Sequence, residues 1–174
     1  VVTDTSSHVV VTGMDWLGPQ MALAGVQGPR FAPRGPGLGR PAERPALPPS
    51  PVRATPAGAE GEVRTVRLAI TPGSWFSVNV RIPADRLAGW SFSDTLPPLP
   101  AQAPAAGQAY TLRAYPSGQG WEGTLRIRGA EPVTVEVQDV YAPGGSPAVD
   151  EVVRQLPDWV TPTPTLVRRT ALTF

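Results

Sequence analysis

Two runs of alternating side chains decide the fold of this chain: VRLAI (residues 66–70) and WFSVNVRI (residues 75–82), joined by TPGS (71–74). In each run apolar side chains alternate with polar or small ones, so each strand has one dry face and one wet face. By this parity Phe76 lies on the apolar face of the second run and Trp75 on the opposite face. The two runs and the turn between them predict a β-hairpin.

The same alternation continues on both sides of this hairpin. It predicts further strands around residues 7–12, 90–92, 110–114, 125–128, 133–140 and 165–174. The apolar parity of the strand at 133–140 shifts after Val137, which predicts a β-bulge near Asp139. Successive strands joined by tight turns are typical of an antiparallel β-sandwich, and a chain of this length can bury a core without a metal or a disulfide.

One short helix is predicted near the C-terminus, over residues 146–156. Ser146 can cap it, Pro147 suits the first helical position, and Pro157 ends it. The apolar residues recur at i, i+3, i+4 and i+7, as in an amphipathic helix: Val149, Val152, Val153 and Leu156.

A proline-rich segment occupies residues 28–61 and carries nine of the 23 prolines. Because proline lacks a backbone N–H, such a segment cannot join the interior of a sheet, and we expect it to wrap the surface as extended chain. Residues 1–174 are therefore expected to form a single mainly β domain: an antiparallel sandwich with one short C-terminal helix and a long proline-rich surface segment.

The residues that most catalytic sites need are scarce. The chain has no cysteine and one histidine, His8, whereas a zinc site normally takes several histidine and carboxylate ligands. There is no Gly-x-Ser-x-Gly motif, and the glycines of residues 35–39 are followed by neither a lysine nor a predicted helix. We expect no catalytic residue, metal site or cofactor in this chain. Four acids are conceivable members of a glycosidase-like pair, although their spacing favours surface acids: Asp85, Asp94, Glu122 and Asp139.

The charge balance argues against nucleic-acid binding. All 15 basic residues are arginine, 14 residues are acidic, and the net charge is +1. The basic residues are scattered along the sequence, and the tightest cluster is Arg168-Arg169. No apolar run approaches the length of a membrane span, so no transmembrane segment is predicted.

The tryptophans are the best candidates for an interaction surface. Four of them lie at predicted strand ends or turns, where large amphipathic rings can dock a partner: Trp16, Trp90, Trp121 and Trp159. A second hypothesis uses Trp75 and Trp121 as stacking platforms for a ligand. In a sandwich, aromatic side chains more often fill the core or close its rims, and the sequence leaves that alternative open.

Three segments resemble, in order, the C-terminal β-rich domain of membrane-embedded zinc metallopeptidases related to the endoplasmic reticulum metallopeptidase, in peptidase family twenty-eight. They are SHVVVTGMDW (7–16), GSWFSVNVR (73–81) with WSF (90–92), and VDEVVRQLPDW (149–159) with the final strand at 166–174. The likeness covers most of the chain outside the proline-rich segment. The family's zinc ligands and catalytic carboxylate have no matching motif here.

The resemblance implies a non-catalytic accessory domain of a membrane-anchored, zinc-dependent aminopeptidase-like protein. Its partners would be the peptidase and transmembrane domains of the same polypeptide, its zinc would lie in the peptidase domain, and its location would be extracytoplasmic. Because the chain begins at Val1 rather than at methionine, we expect it to derive from a longer polypeptide or from processing. The alternative function is an independent carbohydrate- or peptide-binding β-sandwich module of a secreted protein.

Overall fold

A computed structural model shows a mainly β chain whose strands form three antiparallel sheets. It describes residues 3, 6–12, 22–34, 37–98, 107–116, 118–142 and 146–174. Its described elements are β1 (His8–Val11), β2 (Ala32–Arg34), β3 (Gly37–Pro41), β4 (Val52–Glu60), β5 (Val63–Ile70), β6 (Trp75–Pro83), β7 (Leu87–Trp90), β8 (Ala109–Ala114), β9 (Trp121–Arg128), β10 (Thr134–Tyr141), the helix α1 (Pro147–Gln155) and β11 (Leu166–Thr173). The predicted fold class, an antiparallel β-sandwich with one short C-terminal helix, is confirmed.

The chain divides into two compact units. Unit 1 comprises Val1–Pro48 and Ala142–Arg168, and unit 2 comprises Pro49–Tyr141 and Arg169–Phe174. Unit 1 contains sheet I, in the order β1-β3-β2, and helix α1. The single domain expected over residues 1–174 stays a prediction.

Unit 2 is built on sheet II, in the order β11-β10-β6-β8, and sheet III, in the order β4-β5-β9-β7. Alternate residues of their strands are buried, as the period of two dictates. Burial of each such aliphatic side chain contributes about 1.5–3 kcal/mol. Sheet II buries Val78, Val80, Ile82, Leu112, Val135 and Val137, and sheet III buries Val66, Leu68, Ile70, Leu87, Leu125 and Ile127.

The core of unit 1 is small and joins sheet I to helix α1. Its buried centre consists of Val9 on β1, Val152 on α1 and Leu23, which precedes β2. Partly buried apolar residues surround these three. The helix begins after Ser146, as predicted, but the Ser146 side chain makes no capping hydrogen bond. Its carbonyl oxygen instead accepts hydrogen bonds from the backbone N–H groups of Val149 and Asp150, each at 3.0 Å.

A buried arginine holds unit 1 together beside this core. Arg40, on the central strand β3, is only 4% exposed. Its guanidinium donates to the carbonyl oxygen of Gln27 at 2.7 Å and to Oε1 of Glu151 on α1 at 3.2 Å. The same group lies over the ring of Phe31, 5.2 Å from the ring centroid, at a distance typical of cation–π contacts.

The predicted hairpin of β5 and β6 is wrong. β5 pairs with β4 and β9 in sheet III, whereas β6 pairs with β10 and β8 in sheet II. Alternation identified the buried face of each strand correctly, but it carries no information about the pairing partner. The connection at 71–74 passes from one sheet to the other and is held by hydrogen bonds from Thr71 N to Pro51 O and from Trp75 Nε1 to Thr71 O, both 3.0 Å.

The predicted faces of Trp75 and Phe76 are also wrong. Trp75 is 3% exposed and pairs with Tyr141, whereas Phe76 is 61% exposed. The pairing of β6 with β10 steps by two residues on β6 for one on β10, which leaves Phe76 as the extra residue of a bulge. An extra residue reverses the parity of everything before it, so alternation read back from Val78 assigns the wrong faces.

Asp139 is not a bulged residue. The bulge predicted near Asp139 is present on the neighbouring strand β6. It lies where Val140 pairs with Ser77 and Tyr141 pairs with Trp75, which leaves Phe76 unpaired. β10 keeps its parity, and Asp139 is fully buried in line with Val137. The Oγ of Ser50 donates a hydrogen bond to its Oδ1 at 3.3 Å.

The proline-rich segment enters sheets more than predicted. Residues 42–51 contain no strand, as expected, but β2, β3 and β4 all lie within 28–61. The rule that proline avoids sheet interiors still holds, because Pro33 and Pro56 lie on edge strands and Pro41 is the last residue of β3. The prediction failed because the short proline-free run at 37–40 is long enough for a central strand of sheet I.

Candidate ligand-binding cleft

A bulge in the edge strand β7 decides where Trp90 lies. Leu87 pairs with Ile127 and Gly89 with Arg126 of β9, so two steps on β7 match one step on β9. Trp90 therefore lies opposite Leu125, on the inner face of sheet III, and closes the rim of the sandwich at its β7 edge.

Four half-buried aromatic rings form a cluster at this rim. The centroid of Trp90 lies 6.1 Å from that of Phe92 and 5.7 Å from that of Tyr110 on β8, both in edge-to-face geometry. Phe92 lies 6.4 Å from Trp121 on β9. Each such pair contributes about 0.5–1.5 kcal/mol beyond its buried area, so the cluster fixes the ring of Trp90.

The loop that follows β7 is folded back by hydrogen bonds. Ser93 Oγ accepts the indole N–H of Trp90 and donates to the carbonyl oxygen of Thr95, both at 2.7 Å. The backbone N–H of Ser91 donates to Thr124 O at 3.0 Å, and Ser91 Oγ accepts from the Thr124 N–H at 2.8 Å. These bonds give residues 91–95 a defined path beside the edge strand.

Between this loop and β7 lies an open cleft of about 320 Å³. The carboxylate of Asp94 can accept hydrogen bonds there, and the guanidinium of Arg126 can donate them. Trp90 and Leu96 supply apolar surface. Polar and apolar groups line the open cleft in equal measure, so it offers both hydrogen-bonding groups and an aromatic surface to a ligand. The cleft is lined by Ala88, Gly89, Trp90, Ser93, Asp94, Thr95, Leu96 and Arg126.

The four acids considered as a glycosidase-like pair do not meet in the cleft. Of the four acids considered as a glycosidase-like pair, Asp94 alone lines the cleft. Asp139 is buried in sheet II, Glu122 is exposed on β9, and Asp85 lies in the turn before β7. Within the part of the chain that the structure describes, no group of three or more His, Cys, Asp or Glu could hold a metal ion.

The single histidine lies in unit 1, on β1. Burial, and next the nearby positive charge of Arg34, lower the pKa of His8. The neutral imidazole is therefore favoured in the folded protein.

The tryptophans named from the sequence occupy different environments. Trp90 lines the cleft and Trp121 belongs to the aromatic cluster, where its indole N–H donates to Tyr115 O at 3.2 Å. Trp159, in unit 1, is 57% exposed. Trp75 is buried and offers no open ring face, so Trp121 is the member of the proposed Trp75–Trp121 platform with accessible surface. Trp16 lies outside the described residues.

Arg126 and the loop residues Ser93 and Thr95 are cleft residues that sequence reasoning missed. The alternation over residues 125–128 predicts only that Arg126 lies on the wet face of a strand. The available signal is the polar run Ser93-Asp94-Thr95, directly after the predicted strand at 90–92, which begins with a tryptophan. For the bulge in β7, which brings Trp90 to the rim, the sequence signal is Gly89, an isolated glycine within a strand.

No known protein family, characterised protein or solved structure matches this chain. The resemblance to the metallopeptidase family therefore stays a prediction. Among the described helices none is long and apolar enough to cross a membrane.

Proposed function

We propose that this chain is a non-catalytic, carbohydrate-binding β-sandwich module and that the cleft beside β7 is its binding site. The observation that carries the proposal is the meeting of a fixed tryptophan ring with Asp94, Arg126 and hydroxyl groups in one open cleft. Sugars present apolar C–H faces and rings of hydroxyl groups, so an aromatic surface flanked by charged acceptors and donors is complementary to them.

A peptide ligand is the alternative within this class. An extended peptide would add to the free edge of β7 through its backbone. The bulge at Ala88 and the loop at 91–95 argue against it, because bulges disrupt the regular edge that an added strand needs. The side chains of the cleft therefore favour a sugar over a strand.

Titration calorimetry with a panel of neutral and acidic oligosaccharides tests the proposal. The wild-type protein is expected to bind at least one sugar, and Trp90→Ala is expected to weaken binding by roughly tenfold or more, since truncation of a central aromatic contact removes about 2 kcal/mol. Phe76→Ala removes an exposed aromatic ring outside the cleft and is the matched control. Loss of affinity in both variants alike, or binding of peptides but no sugar, would contradict the proposal.

The accessory-domain function is a second candidate, favoured by one observation in unit 1. Trp159 is 57% exposed and lies between Pro157 and a Thr-Pro-Thr-Pro segment, as a docking side chain would. A large exposed ring of this kind is characteristic of interface anchors. In this candidate function, Trp159 would dock onto a zinc-dependent peptidase domain of the same polypeptide on the extracytoplasmic side of a membrane.

The reading frame upstream of residue 1 tests this second candidate. A frame that encodes a zinc-ligand-bearing domain followed by membrane helices is expected if the chain is an accessory domain. A signal peptide encoded directly before residue 1 would contradict it and leave the secreted binding module.

A further inference from the structure

The outer face of sheet III carries a diagonal row of arginines, formed by Arg53, Arg67 and Arg126. Arg53 of β4 pairs with Ala69 of β5, which is two residues from Arg67, so Arg53 and Arg67 are diagonal neighbours. Arg67 pairs with Thr124 of β9, which is two residues from Arg126, so Arg67 and Arg126 are diagonal neighbours too. Diagonal neighbours on a sheet are about 7–8 Å apart, so three adjacent strands each present one arginine on the same face.

Each member of the arginine row is exposed, and its guanidinium makes no hydrogen bond or ion pair with any residue that the structure describes. The outer face of sheet II differs, because Arg81 there lies 3.5 Å from Glu136 and Arg113 donates to Asn79 at 2.7 Å. Neighbouring like charges without partners repel one another, and an anionic ligand would offset that repulsion.

Threonines fill the positions beside the row. Thr55 and Thr124 flank Arg67 on either side, and Thr65 lies opposite Arg126. The face is therefore polar and basic, with threonine hydroxyl groups beside the arginines. The exposed acid of β9, Glu122, lies opposite Ala69 and one diagonal step from Arg67, so one acid shares this face with the three arginines. The scatter of arginines along the sequence thus conceals a cluster that only the register of the strands reveals.

The row leads into the cleft. Arg126 lies opposite Gly89 of β7 and also lines the cleft beside Trp90. A ligand that occupies the cleft and continues across sheet III would meet Arg126, Arg67 and Arg53 in turn. From this continuity and from the charge complementarity, we propose that the ligand is an acidic polysaccharide whose carboxylate or sulfate groups bind the arginine row.

This inference rests on the proposed carbohydrate-binding function and names the class of sugar. A nucleic acid is the competing polyanion; continuity of the row with the proposed sugar site beside Trp90 favours a glycan, and duplex DNA is therefore one of the probes in the test. A membrane surface also fits less well. The large apolar side chains exposed among the described residues are Phe76, Tyr115 and Trp159, and none belongs to a strand of sheet III.

The test compares four probes by calorimetry at low and moderate salt: polygalacturonate, heparin, neutral maltohexaose and duplex DNA. The double variant Arg53→Gln/Arg67→Gln leaves the cleft intact, and Arg81→Gln/Arg113→Gln removes the same charge from sheet II as a matched control. The wild-type protein is expected to bind at least one acidic glycan with an affinity at least about tenfold higher than that for the neutral glycan. The reason is that a hydrogen bond from an arginine to an anionic group stabilises a complex more than a hydrogen bond between neutral groups does. The preference should fall with salt and disappear in the sheet III variant alone.

The outcomes separate the inference from the function beneath it. Tighter binding of polygalacturonate or of heparin identifies the acid as carboxylate or sulfate, and either result supports the inference. Equal binding of acidic and neutral sugars overturns the inference and leaves the proposed function standing. Absence of binding to any sugar overturns both, and tighter binding of DNA than of every glycan overturns the inference in favour of a nucleic-acid surface.

Discussion

Phe92 lies directly over Gly123, where a side chain would force the phenyl ring to move. A Cβ atom on Gly123 would lie 2.4 Å from Cζ and 2.5 Å from Cε1 of Phe92. This glycine on β9 lets the phenyl ring approach the sheet and meet Trp121 on the same strand. The aromatic cluster that fixes Trp90 therefore depends on the absence of one side chain.

Gly123→Ala is expected to displace the ring of Phe92 and to lower the free energy of unfolding by about 1–3 kcal/mol, as overpacking of a filled site does. Sugar affinity should fall as well, because the ring of Trp90 loses its support. Denaturant unfolding and calorimetry measure the two effects. Gly118→Ala is the control, since a Cβ there meets no atom within 4 Å. Equal stability of the two variants would refute the packing described for Phe92.

Arg40→Met is expected to loosen unit 1 selectively. The change removes the hydrogen bonds to Gln27 O and to Glu151, and bonds to charged groups contribute about 1.5–3 kcal/mol each when both partners are well ordered. The Glu151 carboxylate is half exposed, so solvent weakens its ion pair with Arg40. Most of the lost stability should therefore come from the hydrogen bond to Gln27 O. Hydrogen exchange of the β3 and α1 amides should accelerate while that of β9 stays unchanged.

Arg30→Met removes an exposed arginine of the same unit and serves as the control for that measurement. Uniform acceleration throughout the chain, or none in β3, would count against a local role for Arg40.

Asp139→Ala is expected to destabilise unit 2 by about 1–3 kcal/mol, because it leaves the Ser50 hydroxyl without its acceptor and opens space in a filled core. Ser50→Ala should have a smaller effect. The double variant should be less destabilised than the sum of the single ones, as residues in one hydrogen-bond network are coupled. Strict additivity in denaturant titrations would show that the two side chains act independently.

Acidification below pH 6.5 is expected to destabilise unit 1 through His8. Its pKa is lowered by burial and by Arg34, so the unfolded chain takes up a proton before the folded protein does. The contribution of His8 is complete above its unfolded pKa and is lost as the pH falls through its folded pKa. His8→Gln should flatten the stability profile between pH 7 and about pH 5, where acidic side chains begin to titrate. An unchanged profile in that variant would exclude His8 as the source.

The sequence predicts the buried faces of most strands but not their partners. Alternation locates β5, β8, β9 and β10, because a period of two is a local property that burial imposes on each strand. Pairing and bulges depend on distant residues, which is why the extra residue at Phe76 reversed a face and the bulge at Ala88 was missed. The candidate site shows the same limit. The sequence identifies tryptophans as candidate binding residues. It does not predict that Arg126 lines the cleft, because that position depends on the pairing of Arg126 with Gly89.

Chemical-shift mapping of an oligosaccharide titration tests the central claim most directly. If the cleft binds sugar, the amide signals of residues 88–96 and of Arg126, with the indole N–H of Trp90, should shift in a saturable way while those of unit 1 stay still. Shifts confined to other surfaces, or no saturable shift with any neutral or acidic sugar, would contradict the assignment of this cleft as a carbohydrate-binding site.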